Sequence, residues 1–84
     1  MPRPSPPSWV TDRRRRIGDQ IRAARLHANL TQEAVANRVP LERPNYVRIE
    51  QGQAAASIDT LILIAHVIGV PLSDLVREPE PERE

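Results

Sequence analysis

The sequence predicts an all-α fold, a five-helix bundle the size of one small domain. Three observations predict it. Apolar residues recur at helical spacing over most of the chain. Residues that start and stop helices divide that pattern into five pieces. No run alternates in the manner of a half-buried strand. The chain has 84 residues, and at this length roughly 60% of the unfolded surface is buried on folding, so the core must be economical.

The elements follow in order. Residues 1–9 are read as a disordered proline-rich arm, since MPRPSPPS holds four prolines and cannot sustain a helix or a ladder. Residues 10–77 are read as the folded domain and 78–84, EPEPERE, as an acidic disordered tail. Thr11 or Asp12 is the expected cap of the first helix. Ile17, Ile21, Ala24 and Ala28 then share one face, and Asn29 suits the left-handed end. Thr31 caps the second helix, with Val35, Ala36 and Val39 inward, and Pro40 stops it. The third runs to about Gln51, with Tyr46 and Ile49 inward, and Gly52 closes it. Ser57 caps a fourth helix, whose expected stripe is Ile58, Leu61, Ile62, Ala65 and Ile68. Gly69 ends it. Pro71 opens a last short helix with Leu72, Leu75 and Val76 inside. The segment LILIA at 61–65 has the look of a buried strand, but its flanking caps and helical spacing argue for helix.

Composition excludes several classes. There is no cysteine, hence no disulfide or thiolate metal site. No apolar run approaches the ~18 residues of a membrane span, and Met1 to Ser8 lacks the apolar stretch of a signal peptide. A cytoplasmic protein is expected. His27 and His66 stand far apart without clustered acids, so no metal site is expected. Nor is a cofactor expected, and no grouping of nucleophile, base and acid suggests an enzyme.

The net charge of +1 conceals an asymmetry. Residues 1–51 carry ten arginines against five acids, or +5, and residues 52–84 carry two against six, or −4. One reading is a surface for a polyanion and another kept away from it. The other is drift in two tails, because Arg13 to Arg16 and Glu78 to Glu84 supply much of the difference. Arg25 lies close to the apolar stripe of the first helix. A buried guanidinium needs a carboxylate, and Glu50 is the candidate partner. The alternative is that Arg25 reaches past the stripe to solvent.

Thr31 to Gly52, TQEAVANRVPLERPNYVRIEQG, resembles the helix-turn-helix of the Cro and lambda-repressor family, also called the XRE family. The matching residues are Thr31-Gln32-Glu33, Val35-Ala36, Val39, Arg48-Ile49-Glu50 and Gly52. The likeness extends upstream through Ile17-Gly18, Ile21-Arg22, Arg25-Leu26 and Leu30. Downstream it runs through Ser57, Asp59-Thr60-Leu61, Ala65, Gly69-Val70-Pro71 and Leu75. It implies a lambda-repressor-like bundle with its motif at about 32–51. In that family the third helix reads bases and the second lies across the backbone. The resemblance also implies an ion pair between Arg25 and Glu50.

The same resemblance suggests roles for individual residues. Arg43, Asn45 and Arg48 match the outward, base-reading positions, and arginine pairs well with guanine and asparagine with adenine, a phosphate being the alternative for Asn45. For Arg48 the rival is phosphate neutralisation or a nearby acid. Gln32 and Thr31 open the second helix where outward amides suit a phosphate, and Gln51 matches another phosphate position. Tyr46 takes a place that is aliphatic in the family, which implies core, with its hydroxyl as a further phosphate contact if it emerges. Arg13 to Arg16 are either an arm that grips phosphates or a solvated helix start. Trp9 and Val10 are expected to fold back onto the bundle, with a dimer contact as the alternative for Trp9.

Three departures stand out. Pro40 occupies a turn position that is usually glycine, and proline cannot take positive φ. Pro44 disfavours helical angles at Arg43, so the reading helix is expected to start at Pro44 with Arg43 near the cap. Glu42 suits the helix dipole but repels phosphate. The function expected from all this is sequence-specific binding of double-stranded DNA as a transcriptional regulator, most simply a repressor. A homodimer on a near-palindromic site is expected, pairing through Val70, Leu72, Leu75 and Val76 unless these are core. The alternatives are an antitoxin, a restriction–modification controller protein, or a protein-interaction module that has lost DNA binding.

Overall fold

A computed structural model describes residues 5–78 and contains five helices in that span. They are α1 (Ser8–His27), α2 (Gln32–Arg38), α3 (Arg43–Glu50), α4 (Ile58–Ile68) and α5 (Leu72–Val76). The described residues contain no strand. Residues 1–4 of the expected arm and 79–84 of the expected tail lie outside the described residues.

The caps explain most boundaries. The Thr31 hydroxyl accepts the Ala34 amide at 3.0 Å, and the Ser57 hydroxyl accepts the Thr60 amide at 3.1 Å. Asn29 (φ 59), Gly52 (φ 72) and Gly69 (φ 90) take left-handed conformations where their helices end. The first helix differs from expectation. It begins at Ser8, preceded by Pro7 (φ −55, ψ 150), and not at Thr11 or Asp12. Proline lacks an N–H that this position would leave unpaired in any case. The Thr11 hydroxyl donates back to the Ser8 carbonyl at 2.8 Å. Ser8 and Trp9 are thus helical and do not belong to a disordered arm.

The core is built from Ile21, Val35, Ala36, Val39, Tyr46, Ile49, Ile64, Ala65, Ile68 and Leu75. Three expectations are corrected here. On α4, Ile58 and Ile62 are 66% and 50% exposed, and Ile64, outside the expected stripe, is fully buried. The inward face is Leu61, Ile64, Ala65 and Ile68, a spacing of three, one and three. Leu75, expected as a dimer contact, is fully buried; the short α5 spends its one central leucine on closing the bundle. Leu72 and Val76 are half-buried against that core. Trp9 does not fold back onto the bundle: it is 63% exposed, while Val10 is half-buried.

One glycine is set by close approach. A Cβ on Gly18 would clash with the Glu50 carbonyl oxygen and come within 2.7 Å of the Ile49 carbonyl oxygen. The backbone of α1 therefore lies directly against the last turn of α3. Arg14 extends this contact: its Nε donates to the Gly52 carbonyl at 3.0 Å, placing positive charge at the carboxyl end of α3.

Candidate nucleic-acid interface

The interface is built on α2, α3 and the short turn between them. α2 is capped at its carboxyl end by Val39 (φ −85, ψ 0). The Leu41 amide then returns to the Ala36 carbonyl at 2.9 Å. This route needs no positive φ, which is how Pro40 is accommodated in place of glycine. Glu42 is the extended N-cap of α3 (φ −67, ψ 139), and its side chain makes no capping bond. Arg43 is helical, against the expectation that the helix starts at Pro44. Proline at the second position loses no hydrogen bond, because the first-turn amides have no intrahelical partner.

The two sides of α3 differ sharply. Tyr46, Ile49 and Glu50 are buried, whereas Arg43, Asn45, Arg48 and the following Gln51 are exposed. At about 100° per residue, Asn45 and Arg48 stand about 60° apart, as do Arg48 and Gln51. Arg43 stands about 160° around the axis from Asn45, so it projects from the start of the helix and not along the same ridge. Thr31 is exposed, with its hydroxyl oxygen already accepting from Ala34.

Behind this surface is a buried charged cluster. Arg25 Nε donates to Glu50 Oε2 at 2.6 Å and Arg25 Nη2 to Glu50 Oε1 at 3.0 Å. Arg25 Nη1 donates to the Leu30 carbonyl at 2.9 Å. The two residues are only 6% and 3% exposed, so Arg25 does not reach past the core to solvent. Gln32 Nε2 donates to Glu50 Oε1 at 3.3 Å, drawing the first residue of α2 into the same cluster. Burial pushes the Glu50 carboxyl up, but the bonds from Arg25 and Gln32, with the dipole of the nearby Tyr46 hydroxyl, outweigh it and hold the group below its ordinary value. The bond to Glu50 raises the Arg25 pKa.

Tyr46 is fully buried. Its expected phosphate contact is therefore corrected: the ring fills the space under α3 and the hydroxyl cannot reach solvent. That hydroxyl lies near Glu50 but finds no partner in hydrogen-bonding geometry among the described residues. Burial, first, and the neighbouring Glu50 carboxylate push its ionisation far above the usual tyrosine range.

The arginine run of α1 is divided. Arg14 is bonded to Gly52, and Arg13 Nη1 pairs with Glu78 Oε1 at 2.5 Å. Arg15 and Arg16 are exposed. The positions that sequence reasoning missed are Gly18 and Arg14. A glycine inside a helical pattern costs stability unless it serves packing, which is the signal that could have found Gly18; nothing in the run distinguishes Arg14 from its neighbours.

A helix-turn-helix family model matches residues 21–75, from within α1 to α5. The chain belongs to the helix-turn-helix family. This helix-turn-helix chain is also 33% identical over 64 residues to the cryptic phage CTXphi transcriptional repressor RstR of Vibrio cholerae, a match covering 76% of the chain. It spans 58% of that relative's length. Two solved structures share the fold. The restriction-modification controller protein C.AhdI of Aeromonas hydrophila has a TM-score of 0.70 at 24% identity, over 73% of this chain and 92% of that one. The clp gene regulator ClgR of C. glutamicum has a TM-score of 0.73 at 20% identity, over 76% and 83%. Among the described residues no group of His, Asp or Glu is placed to hold a metal, and no helix is long and apolar enough to cross a membrane.

Proposed function

We propose that this helix-turn-helix protein is a sequence-specific, double-stranded DNA-binding regulator of transcription that acts as a repressor, with α3 in the major groove. The observation that carries the reading is the two-sidedness of α3. Asn45 and Arg48 are exposed along one ridge and Arg43 in the first turn, while the inward side is fastened to α1 through Arg25, Glu50 and the Gly18 contact. A rigid back and a polar, cationic front are what base reading needs. The likeness to a phage repressor supports the repressor role. The same site serves a restriction–modification controller, the reading that the likeness in shape to C.AhdI adds. No catalytic step is part of either reading.

Phosphate contacts are assigned to Thr31, Gln32 and Gln51. Gln32 suits this role because its amide has two hydrogens: one serves Glu50 and the other remains for a phosphate oxygen. The protein acts in the cytoplasm, where its DNA is. It binds as a homodimer, since one such domain covers only a few bases. With Leu75 in the core, the apolar surface that supports pairing is Ile58, Ile62 and Leu63 on α4, each more than 40% exposed.

Selection of bound sites from a random DNA pool, followed by gel retardation at two salt concentrations, tests the proposal. The expected product is an inverted repeat with half-sites about 10 base pairs apart. Equal affinity for all sequences points instead to an architectural protein. No retardation at low salt, where phosphate contacts are strongest, points to an interaction module and removes the DNA reading.

A further inference from the structure

Beside the carboxyl end of α3 lies a cleft of about 220 Å³. Three segments wall it: the first turns of α1, the last turn of α3, and the loop into α4. Its sides are Val10, Ile17, Ile49 and Leu61, and the alanine run 54–56 forms its loop wall. Larger side chains at 54–56 would close it. Among the described residues only two charged ones line it, Arg13 and Arg14, and both are cations.

The two arginines differ in their partners. Arg14 is engaged by the Gly52 carbonyl. Arg13 is bonded to a carboxylate, that of Glu78, on side chains 45% and 70% exposed. The structure thus displays the chemistry that Arg13, one of the lining residues, accepts. An exposed pair of this kind contributes little, so another carboxylate exchanges with Glu78 readily. The volume exceeds the roughly 150 Å³ apolar cavity that admits benzene, and so takes a short aliphatic chain or a single ring.

We infer that this cleft is a binding site for an amphipathic monocarboxylate, its apolar body seated against Ile17, Ile49 and Leu61 and its carboxylate on Arg13 in exchange for Glu78. The site touches the reading helix directly through Ile49. The inference rests on the cleft's own lining and stands independently of what the chain does with DNA.

Titration of the full methyl-labelled chain with sodium octanoate, followed by methyl NMR, tests it. Saturable shifts concentrated at Ile17, Ile49 and Leu61 are expected. Acetate, the head alone, leaves them in place. n-Octanol, the tail alone, binds about three- to fivefold more weakly, the worth of one partly exposed ion pair. Arg13→Gln weakens octanoate by the same factor, and Glu78→Gln strengthens it by removing the competing carboxylate. Both substitutions are on the surface and leave the fold intact, which the methyl spectrum itself verifies. Absence of saturable shifts at those three residues, or an octanoate affinity unchanged by Arg13→Gln, overturns the inference.

Discussion

The carboxylate of Glu50 holds the guanidinium of Arg25 through two bonds, at 2.6 and 3.0 Å, with both side chains out of solvent. Partners separated by 25 residues in sequence thereby join α1 to the last turn of α3. A buried pair of this sort contributes less net stability than its Coulomb attraction suggests, because both charges were desolvated to form it. Breaking it is another matter. Glu50→Ala strands a buried arginine and releases Gln32, and the expected loss is about 3–5 kcal/mol. Urea denaturation measures it; a mutant within about 0.5 kcal/mol of the parent removes the structural role assigned to the pair.

The same pair sets an acid dependence. The Glu50 carboxyl lies below its ordinary value near 4.5 in the folded state. A lowered folded pKa means stability that is complete above the unfolded value and is lost as pH falls toward the folded one. Unfolding free energy is therefore expected to decline as pH drops below about 4.5, and Glu50→Gln should flatten that decline. Equal slopes for the two proteins, measured by denaturation from pH 7 to pH 3, would contradict the assignment.

Tyr46 offers a sharper distinction within the cluster. Its buried hydroxyl is near Glu50 without a bond of normal geometry. An unsatisfied buried hydroxyl is a cost, and removing it is neutral or stabilising. Tyr46→Phe is expected to change stability by less than about 0.5 kcal/mol or to raise it. A loss above about 1 kcal/mol in thermal or chemical denaturation would mean that the hydroxyl does bond Glu50.

Much of this arrangement is legible in the sequence, for definable reasons. Caps are local: Thr31, Ser57, Asn29 and Gly69 act on amides and angles within a few residues, and each ends or starts a helix as its chemistry predicts. The Arg25–Glu50 pair is legible because a charge beside an apolar stripe demands a partner. The orientation of α4 is not. Its run LILIAHVI is apolar on nearly every side, so periodicity cannot choose between the face with Ile62 and the face with Ile64; packing against α2 and α5 decides. The start of α1 is hidden for a different reason, since the prolines that argue against a helix are also good residues immediately before one. Tyr46 is legible as core by position, while its polar end suggests a phosphate contact that its burial forbids.

That choice of face on α4 separates two kinds of apolar residue. Leu75→Ala removes a fully buried side chain and is expected to cost about 2–5 kcal/mol. Ile62→Glu should cost less than about 0.5 kcal/mol, as an exposed substitution does. Its effect should fall on association instead. In a two-fold interface one substitution appears twice and near its own copy, so a carboxylate at 62 is expected to weaken dimerisation at least about tenfold, or about 1.4 kcal/mol. Sedimentation equilibrium decides it: a dimer indifferent to Ile62→Glu pairs through another surface.

Arg43 and Arg48 are both exposed arginines on α3, yet their positions differ. Arg48 shares a ridge with Asn45 and Gln51 near the middle and end of the helix, while Arg43 stands in its first turn. In this class of protein the first residues of the reading helix reach the base edges, so Arg43 is the better candidate for a bidentate contact with guanine. Arg43→Ala is expected to cost about 1–3 kcal/mol and to relax preference at one base pair of the selected site, with other positions unchanged. Arg48→Ala discriminates between its two roles by the salt dependence. If Arg48 only neutralises a phosphate, affinity falls for every sequence alike and the slope of log K against log salt drops by about one. Site selection with each variant, followed by titration at two salt concentrations, reads both quantities. A uniform loss with a reduced slope for Arg43→Ala would assign Arg43 to the backbone and leave base reading to Asn45 and Arg48.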